Sequence, residues 1–270
     1  MQNDFLKPNS IKQSKMKFKK LLRILFAIGI FLNHYSFFGQ ETADDSNKWQ
    51  FTIGPYVLFP HMNGEVIVKG IPADVDTSPG DIFENLDFGM MLYFEASNSK
   101  WVAVLDGLYM DLSQEGETVL TGRKVLVGVD QVGFSISGRY KIKQWLDAGV
   151  GGRINSIGSN LKIDPGDILP GTEFSMNETW FDPIIVARLM TNFNNEKWQL
   201  GLYTDIGGFG IGSDITWQIN PFASYQLGNW FKLGAAYRWL GINYTTGTGA
   251  ETFLYDVTTS GPEIRFLFNF

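Results

Sequence analysis

The sequence predicts an all-β chain folded as a transmembrane antiparallel up-and-down β-barrel of about ten strands, with eight or twelve as alternatives. Three observations carry this. Apolar and polar residues alternate at every second position over most of residues 49–270, and period two puts the two sets on opposite faces of a strand. Five tryptophans, Trp49, Trp101, Trp145, Trp198 and Trp230, each follow a short polar turn such as Ser99-Lys100 or Glu196-Lys197. Indole has an apolar body and one N–H donor, so it settles where hydrocarbon meets water. Five such boundaries entered in one direction imply ten crossings. Finally, no segment beyond residue 40 approaches the roughly 20 apolar residues of a spanning helix.

The N-terminus reads as an export signal. Lys15, Lys17, Lys19, Lys20 and Arg23 precede the apolar run Ile24 to Leu32, and a polar segment follows Gly39-Gln40. That order of basic, apolar and small residues is the layout of a cleaved signal peptide, here over residues 1–40, with Met16 as an alternative start. Residues 41–48 would then be a short linker and 49–270 the barrel. Without the first 40 residues the chain has 15 basic and 27 acidic side chains, a formal net charge of -12. Such a balance opposes nucleic acid, whose affinity comes from Lys and Arg neutralising phosphates. The chain of 270 residues has no cysteine, 30 glycines and 15% aromatic residues, which suits one large β domain without disulfides.

Strands are expected near 49–59, 86–96, 101–111, 125–140, 144–157, 178–190, 198–206, 213–227, 230–244 and 253–270. The clearest are Leu86, Phe88, Met90, Leu92, Phe94 against Asp87, Gly89, Tyr93, Glu95, and Ile215, Trp217, Ile219, Ala223, Tyr225, Leu227 against Thr216, Gln218, Asn220, Ser224, Gln226. Residues 102–110 alternate poorly, because Val102, Val104 and Leu108 share a face with Asp106. Trp145 and Trp230 fall out of phase with the faces that follow them, as a rim position or a bulge would explain. Pro55, Pro183 and Pro221 each remove a ladder donor and predict a bulge or break. Connections at 97–100, 141–143, 191–197 and 228–229 are short. Those at 60–85, 112–124, 158–177 and 245–252 are long, as outer loops are beside periplasmic turns; only the outer connection at 207–212, Gly-Gly-Phe-Gly-Ile-Gly, is short. Glu65 to Lys69 with Val75 to Thr77 could form an extra hairpin.

A soluble sandwich also alternates. Lipid on the apolar face is favoured by the signal pattern, the repeated Trp, and polar faces rich in Gly, Ser and Asn beside isolated charges.

The ending Ile264, Phe266, Phe268, Phe270 resembles the C-terminal strand of bacterial outer-membrane proteins. The resemblance implies that these residues signal to the barrel assembly machinery. Residues 54–109 are similar to an uncharacterised family of Gram-negative barrel proteins, through Gly54-Pro55-Tyr56, Gly64, Gly70, Ala73-Asp74-Val75-Asp76, Asp81-Ile82, Asn85-Leu86-Asp87-Phe88, Trp101, Asp106 and Tyr109. That likeness covers about a fifth of the chain and implies location in the outer membrane, but no activity.

The chemistry expected of the inward faces is a charge network. It comprises Asp87, Glu95, Asp106, Arg139, Asp147, Arg153, Asp182, Arg188, Asp205, Lys232, Arg238, Glu263 and Arg265, with Asp214 beside them. Charges confined to a narrow lumen should pair, because an unpaired one is poorly solvated. Paired, they plug and stiffen the barrel and leave a structural or surface-interaction role. Unpaired, they would line a narrow, porin-like path for small hydrophilic solutes. A third reading compares the ten strands with the omptin outer-membrane proteases, which work with paired acids and a histidine at the outer rim. His61 is the one histidine after residue 40, and no spacing places a nucleophile beside it. No enzyme motif, cofactor motif or metal-ligand spacing is present. Two loops repeat Pro-Gly-Asp-Ile, at 79–82 and 165–168, near Asp74, Asp76 and Glu84 and near Asp164, Glu173 and Glu178. These read as turns, or as carboxylates for the divalent ions that bridge lipopolysaccharide. Membrane lipid and lipopolysaccharide are the expected surroundings.

Overall fold

The computed structural model describes residues 48–117, 124–165 and 171–270. The expected signal peptide, most of the linker and part of the second Pro-Gly-Asp-Ile repeat lie outside these residues. The described chain forms β1 (Gln50–Leu58), β2 (His61–Val68), β3 (Ile71–Thr77), the helix α1 (Pro79–Glu84), β4 (Leu86–Ser97), β5 (Trp101–Glu117), β6 (Lys124–Lys143), β7 (Leu146–Ile163), β8 (Thr172–Phe193), β9 (Trp198–Gly208), β10 (Ile215–Gly228), β11 (Phe231–Thr246) and β12 (Phe253–Asn269). Ten strands close a ring in the order β1-β4-β5-β6-β7-β8-β9-β10-β11-β12, with β12 returning to β1. Every pairing is antiparallel, and all join sequence neighbours except β1–β4, which the hairpin β2–β3 separates, and the seam of β12 with β1 and β2.

The seam runs further than the ring requires. From Thr52↔Asn269 through Leu58↔Glu263 to His61↔Ser260 and Ile67↔Leu254, the register against β12 never shifts. β1 and β2 are thus one continuous strand, interrupted at Phe59-Pro60, where Phe59 N–H still donates to the Pro262 carbonyl at 3.0 Å. Pro60 has no N–H to give. Below it the free edge pairs with β4, as in Thr52↔Glu95. Above it the edge pairs with β3, as in Met62↔Thr77. The hairpin turns at Lys69-Gly70, both with positive φ (51° and 76°), the backbone of a tight two-residue hairpin. At Gly64 a Cβ would lie 2.0 Å from the Asp256 carbonyl oxygen, so β2 reaches β12 there because it carries no side chain.

α1 brings the chain back to β4. Ser78 caps it by accepting the Asp81 N–H at 3.3 Å, while the Asp81 carboxylate accepts the Ser78 N–H at 3.0 Å; Pro79 fills the first helical position. The hydrogen bonds from Ser78 hold the Asp81 carboxyl below the usual carboxylate range. The first Pro-Gly-Asp-Ile repeat is therefore a capped helical turn and not a free loop.

All four short connections, at 98–100, 144–145, 194–197 and 229–230, lie at one end with both described termini. The other end carries the hairpin, α1 and the longer loops. β5 to β8 continue as ladders into much of the expected loops 112–124 and 158–177. Ser113, Gln114 and Glu115 are polar on both faces, so alternation vanishes while backbone pairing persists.

Outside, Ile136, Val150, Ile154, Phe181, Ile185, Ile219, Leu233 and Ile264 are exposed, Val150 by 66%. This apolar belt stops on β12 at Pro262, beyond which Ser260, Thr258 and Asp256 face outward beside His61, Asn63 and Glu65. Such a belt is stable against acyl chains. No register shift, and so no bulge, occurs at Pro55, Pro183 or Pro221, but the ladder breaks locally at Gly54-Pro55 against β12 and at Asn220-Pro221 against β11. All three point outward, and the ladder omits one donor without a bulge. Bulges occur instead at Lys141/Lys143 and Gln226/Gly228. They place Trp145 and Trp230 in turns, which explains their phase.

Candidate functional site: the barrel interior

Period two and the fixed register carry the inward side chains to common levels. At the first, Asp147 of β7 and Glu95 of β4 bridge two arginines. Arg188 of β8 reaches Glu95 at 2.7 Å and Asp147 at 2.8 Å, and Arg139 of β6 reaches Asp147 at 3.1 Å and Glu95 at 3.4 Å. Tyr93 donates its hydroxyl to Glu95. Across the barrel, Arg238 of β11 binds Glu263 of β12 and lies 3.3 Å from Asp106 of β5, and Arg265 donates to Glu263 at 2.9 Å. Tyr56 donates to Asp106 at 2.9 Å, and Arg265 reaches the Asn220 carbonyl at 2.9 Å.

A second level lies further from the turns. Arg153 of β7 binds Asp205 of β9 at 2.8 Å, with Thr216 at 2.8 Å and Gln218 at 3.2 Å completing its donors. Asp182 of β8 is fully buried yet has no cation within 4.0 Å among the described residues. Four neutral donors hold it: the Ser213 N–H at 2.6 Å, the Ser213 hydroxyl at 2.9 Å, Asn155 at 3.1 Å and the Trp180 indole at 3.2 Å. Burial of this kind is tolerable only with such complete hydrogen bonding.

Thus Glu95, Asp106, Arg139, Asp147, Arg153, Asp182, Arg188, Asp205, Arg238, Glu263 and Arg265 are brought inside. Asp87 is not. The bulge between Leu86 and Phe88 leaves it exposed, because the extra residue breaks the alternation that assigned it inward. Asp214 is likewise exposed in the turn before β10. Lys232 faces inward without joining an ion pair among the described residues. The neutral partners Tyr56, Tyr93, Asn155, Trp180, Ser213, Thr216, Gln218 and Asn220 went unnoticed in the sequence. Four of them, Tyr93, Thr216, Gln218 and Asn220, stand on faces that the alternation already marks as inward.

Beyond these levels the interior turns apolar. Trp180, Ile242, Phe253, Tyr255 and Val257 are buried together, packed by Val66 and Val68 of β2, Val75 of β3, and Leu240 and Tyr244 of β11. Trp180 stacks on Tyr244 with centroids 4.2 Å apart and planes 4° off parallel. The hairpin therefore contributes its inward face to an apolar cluster at the loop end. Between this cluster and the charge levels a void of about 40 Å³ remains. At the turn end the interior opens into a cavity of about 810 Å³, with the arginine–carboxylate clusters as its floor.

Around the turn end stand Trp49, Trp101, Trp145, Trp198 and Trp230, each 37–62% exposed. Trp101 meets Tyr140 edge-on at 5.0 Å, Trp198 meets Tyr225 at 4.8 Å, and Trp230 stacks on Phe268 at 5.8 Å. Ile264, Phe266, Phe268 and Phe270 share the outward face of the β12 end, and Phe270 stacks on Phe51.

His61 sits at the opposite rim on the outward face, its Nε2 3.0 Å from Asp76 of β3. Both are exposed, and no pocket encloses them among those described. Among the described residues no three His, Cys, Asp or Glu side chains converge as a metal centre would need.

No protein-family model matches the chain, and no curated protein sequence does. Solved structures with a similar fold include the outer membrane protease OmpT from Escherichia coli, 8% identical over 86% of this chain and 100% of that one, with a TM-score of 0.48. Ail, the attachment invasion locus protein of Yersinia pestis, crystallised with the heparin analogue sucrose octasulfate, is 10% identical over 82% and 98%, with a TM-score of 0.35. The translocator domain of the autotransporter NalP from Neisseria meningitidis is 9% identical over 96% and 98%, with a TM-score of 0.32.

Proposed function

We propose that this outer-membrane β-barrel is a sealed one, a structural and surface-interaction protein that presents a polar, acidic rim rather than conducting solutes. The observation that carries the reading is the filled section between the turn-end cavity and the loops: two levels of buried charge, then the apolar seal. A ten-stranded ring is little wider than the eight-stranded one that side chains just fill, and the buried side chains at these levels support a filled section. The seal faces the exterior if the short turns are periplasmic, as in exported barrels generally.

The same reading gives the surface residues their roles. Trp49, Trp101, Trp145, Trp198 and Trp230 would anchor the inner interface. Ile264, Phe266, Phe268 and Phe270 would be read by the assembly machinery, and Glu65, Asp74, Asp76 and Asp256 would meet lipopolysaccharide through bridging divalent ions or face other surfaces. Refolded protein in a planar bilayer should show no stable open level at any holding potential. A reproducible unitary conductance would overturn the sealed-barrel reading in favour of a narrow pore.

One observation favours a hydrolase instead: the His61–Asp76 pair gives a rim histidine the carboxylate that orients a general base. Peptide and lipid-ester hydrolysis by the parent and by His61→Ala is expected to be equal. A rate that falls with the substitution would establish the enzyme.

A further inference from the structure

The turn-end cavity is a cup with a built wall. We infer that it binds a small anion carrying carboxylate or phosphate groups, held by Lys232, Ser224 and Asn220. The inference goes beyond the sealed-barrel reading, since it holds whether or not the loop end conducts.

Size comes first. About 810 Å³ lies within the range of roughly 300–1,000 Å³ typical of small-ligand sites. Charge comes next. In a chain dominated by acids, seven basic and three acidic side chains line this space. Glu95 and Asp106 are already engaged by arginines, and Glu196 stands on an exposed turn at the mouth. Lys141 and Lys232 have no carboxylate within 4.0 Å among the described residues, and Lys141 Nζ donates to the Asn98 carbonyl instead, at 2.6 Å. Lys197 is exposed on the turn at the mouth, which leaves Lys232 as the half-buried cation of the wall without a carboxylate.

The third observation is independent of charge. Asn220 Nδ2 and Ser224 Oγ are buried, in residues 1% and 3% exposed, and neither has a hydrogen-bond partner. Buried polar atoms of this kind are rare and call for a partner. Both residues line the cavity. The Asn220 carbonyl accepts from Arg265, which turns its amide donor away from that bond.

Ladder geometry gathers these groups on one wall. Ser224 of β10 pairs with Gly234 of β11, Gly234 pairs with Arg265 of β12, and Lys232 stands beside Gln226. Gly234 leaves a notch between Ser224 and Arg265, since a Cβ there would stand 3.3 Å from the Arg265 Cβ. An ammonium, a hydroxyl and an amide donor around a notch in the cavity wall form a site for oxyanions.

The test is calorimetric titration of the detergent-solubilised protein with citrate, with pyrophosphate and with the neutral polyol sorbitol at constant ionic strength. At least one anion should bind saturably and sorbitol should not. Lys232→Gln should weaken anion binding at least about tenfold and Ser224→Ala several-fold, while Lys232→Arg and the distant Lys124→Gln should bind like the parent. Circular dichroism reports whether each variant folds; should Lys232→Gln not fold, Ser224→Ala and Lys232→Arg carry the comparison. Absence of saturable heat from both anions, binding of sorbitol with equal strength, or unchanged binding by folded Lys232→Gln or Ser224→Ala would overturn the site.

Discussion

Replacing Arg188 by methionine is expected to destabilise the barrel by about 3–5 kcal/mol, the usual cost of removing one partner from a buried ion pair. Arg188 holds Glu95 at 2.7 Å and Asp147 at 2.8 Å. With it gone, two enclosed carboxylates share Arg139, which touches them at the longer 3.4 Å and 3.1 Å. Methionine keeps most of the volume, so the loss measures charge rather than a cavity. Urea unfolding from lipid vesicles, followed by tryptophan fluorescence, gives the number. Adding Glu95→Gln to Arg188→Met should recover part of it, because one carboxylate then remains for the one arginine. A loss below about 1 kcal/mol, the scale of solvent-exposed pairs, would mean that water reaches this level and that the floor of the cup is not dry.

Trp180→Ala is expected to cost a further independent 3–5 kcal/mol, as large-to-small changes of buried aromatics do. The indole fills the centre of the loop-end seal against Tyr244 and also donates to Asp182 and to Ser213 at 2.9 Å. Trp180→Phe separates the two contributions. It retains the stack and removes the donor, so it should cost about 1–3 kcal/mol. The same urea titration applies, and equal losses for Ala and Phe would show that the hydrogen bond to the buried carboxylate matters and the packing does not.

The ring was legible because lipid outside and polar atoms inside impose a period of two, and stretches such as Leu86–Phe94 and Ile215–Leu227 obey it. Four features were harder to read, each for a physical reason. Polar residues on both faces hid the extension of β5 through Ser113 and Gln114, where water replaces lipid and selection for alternation ends. A bulge moved Asp87 out of the interior, since bulges are set by the partner strand and not by local composition. The loop-end seal was hidden because Val66, Val68 and Val75 face inward, the reverse of the polarity assumed for a lumen. The orphan donors Asn220 and Ser224 look like ordinary inward polar residues until their neighbours are known.

The unbroken seam between β1–β2 and β12 bears on how the molecule is made. Thr52 meets Asn269 across 217 positions of sequence, so the first two strands keep one edge unpaired until the last segment has been synthesised. Chains dominated by such distant contacts fold slowly. Until the ends join, two long unsatisfied edges invite pairing with other chains. Closure of the ring therefore waits on the last strand, and until it arrives both open edges are exposed to foreign strands.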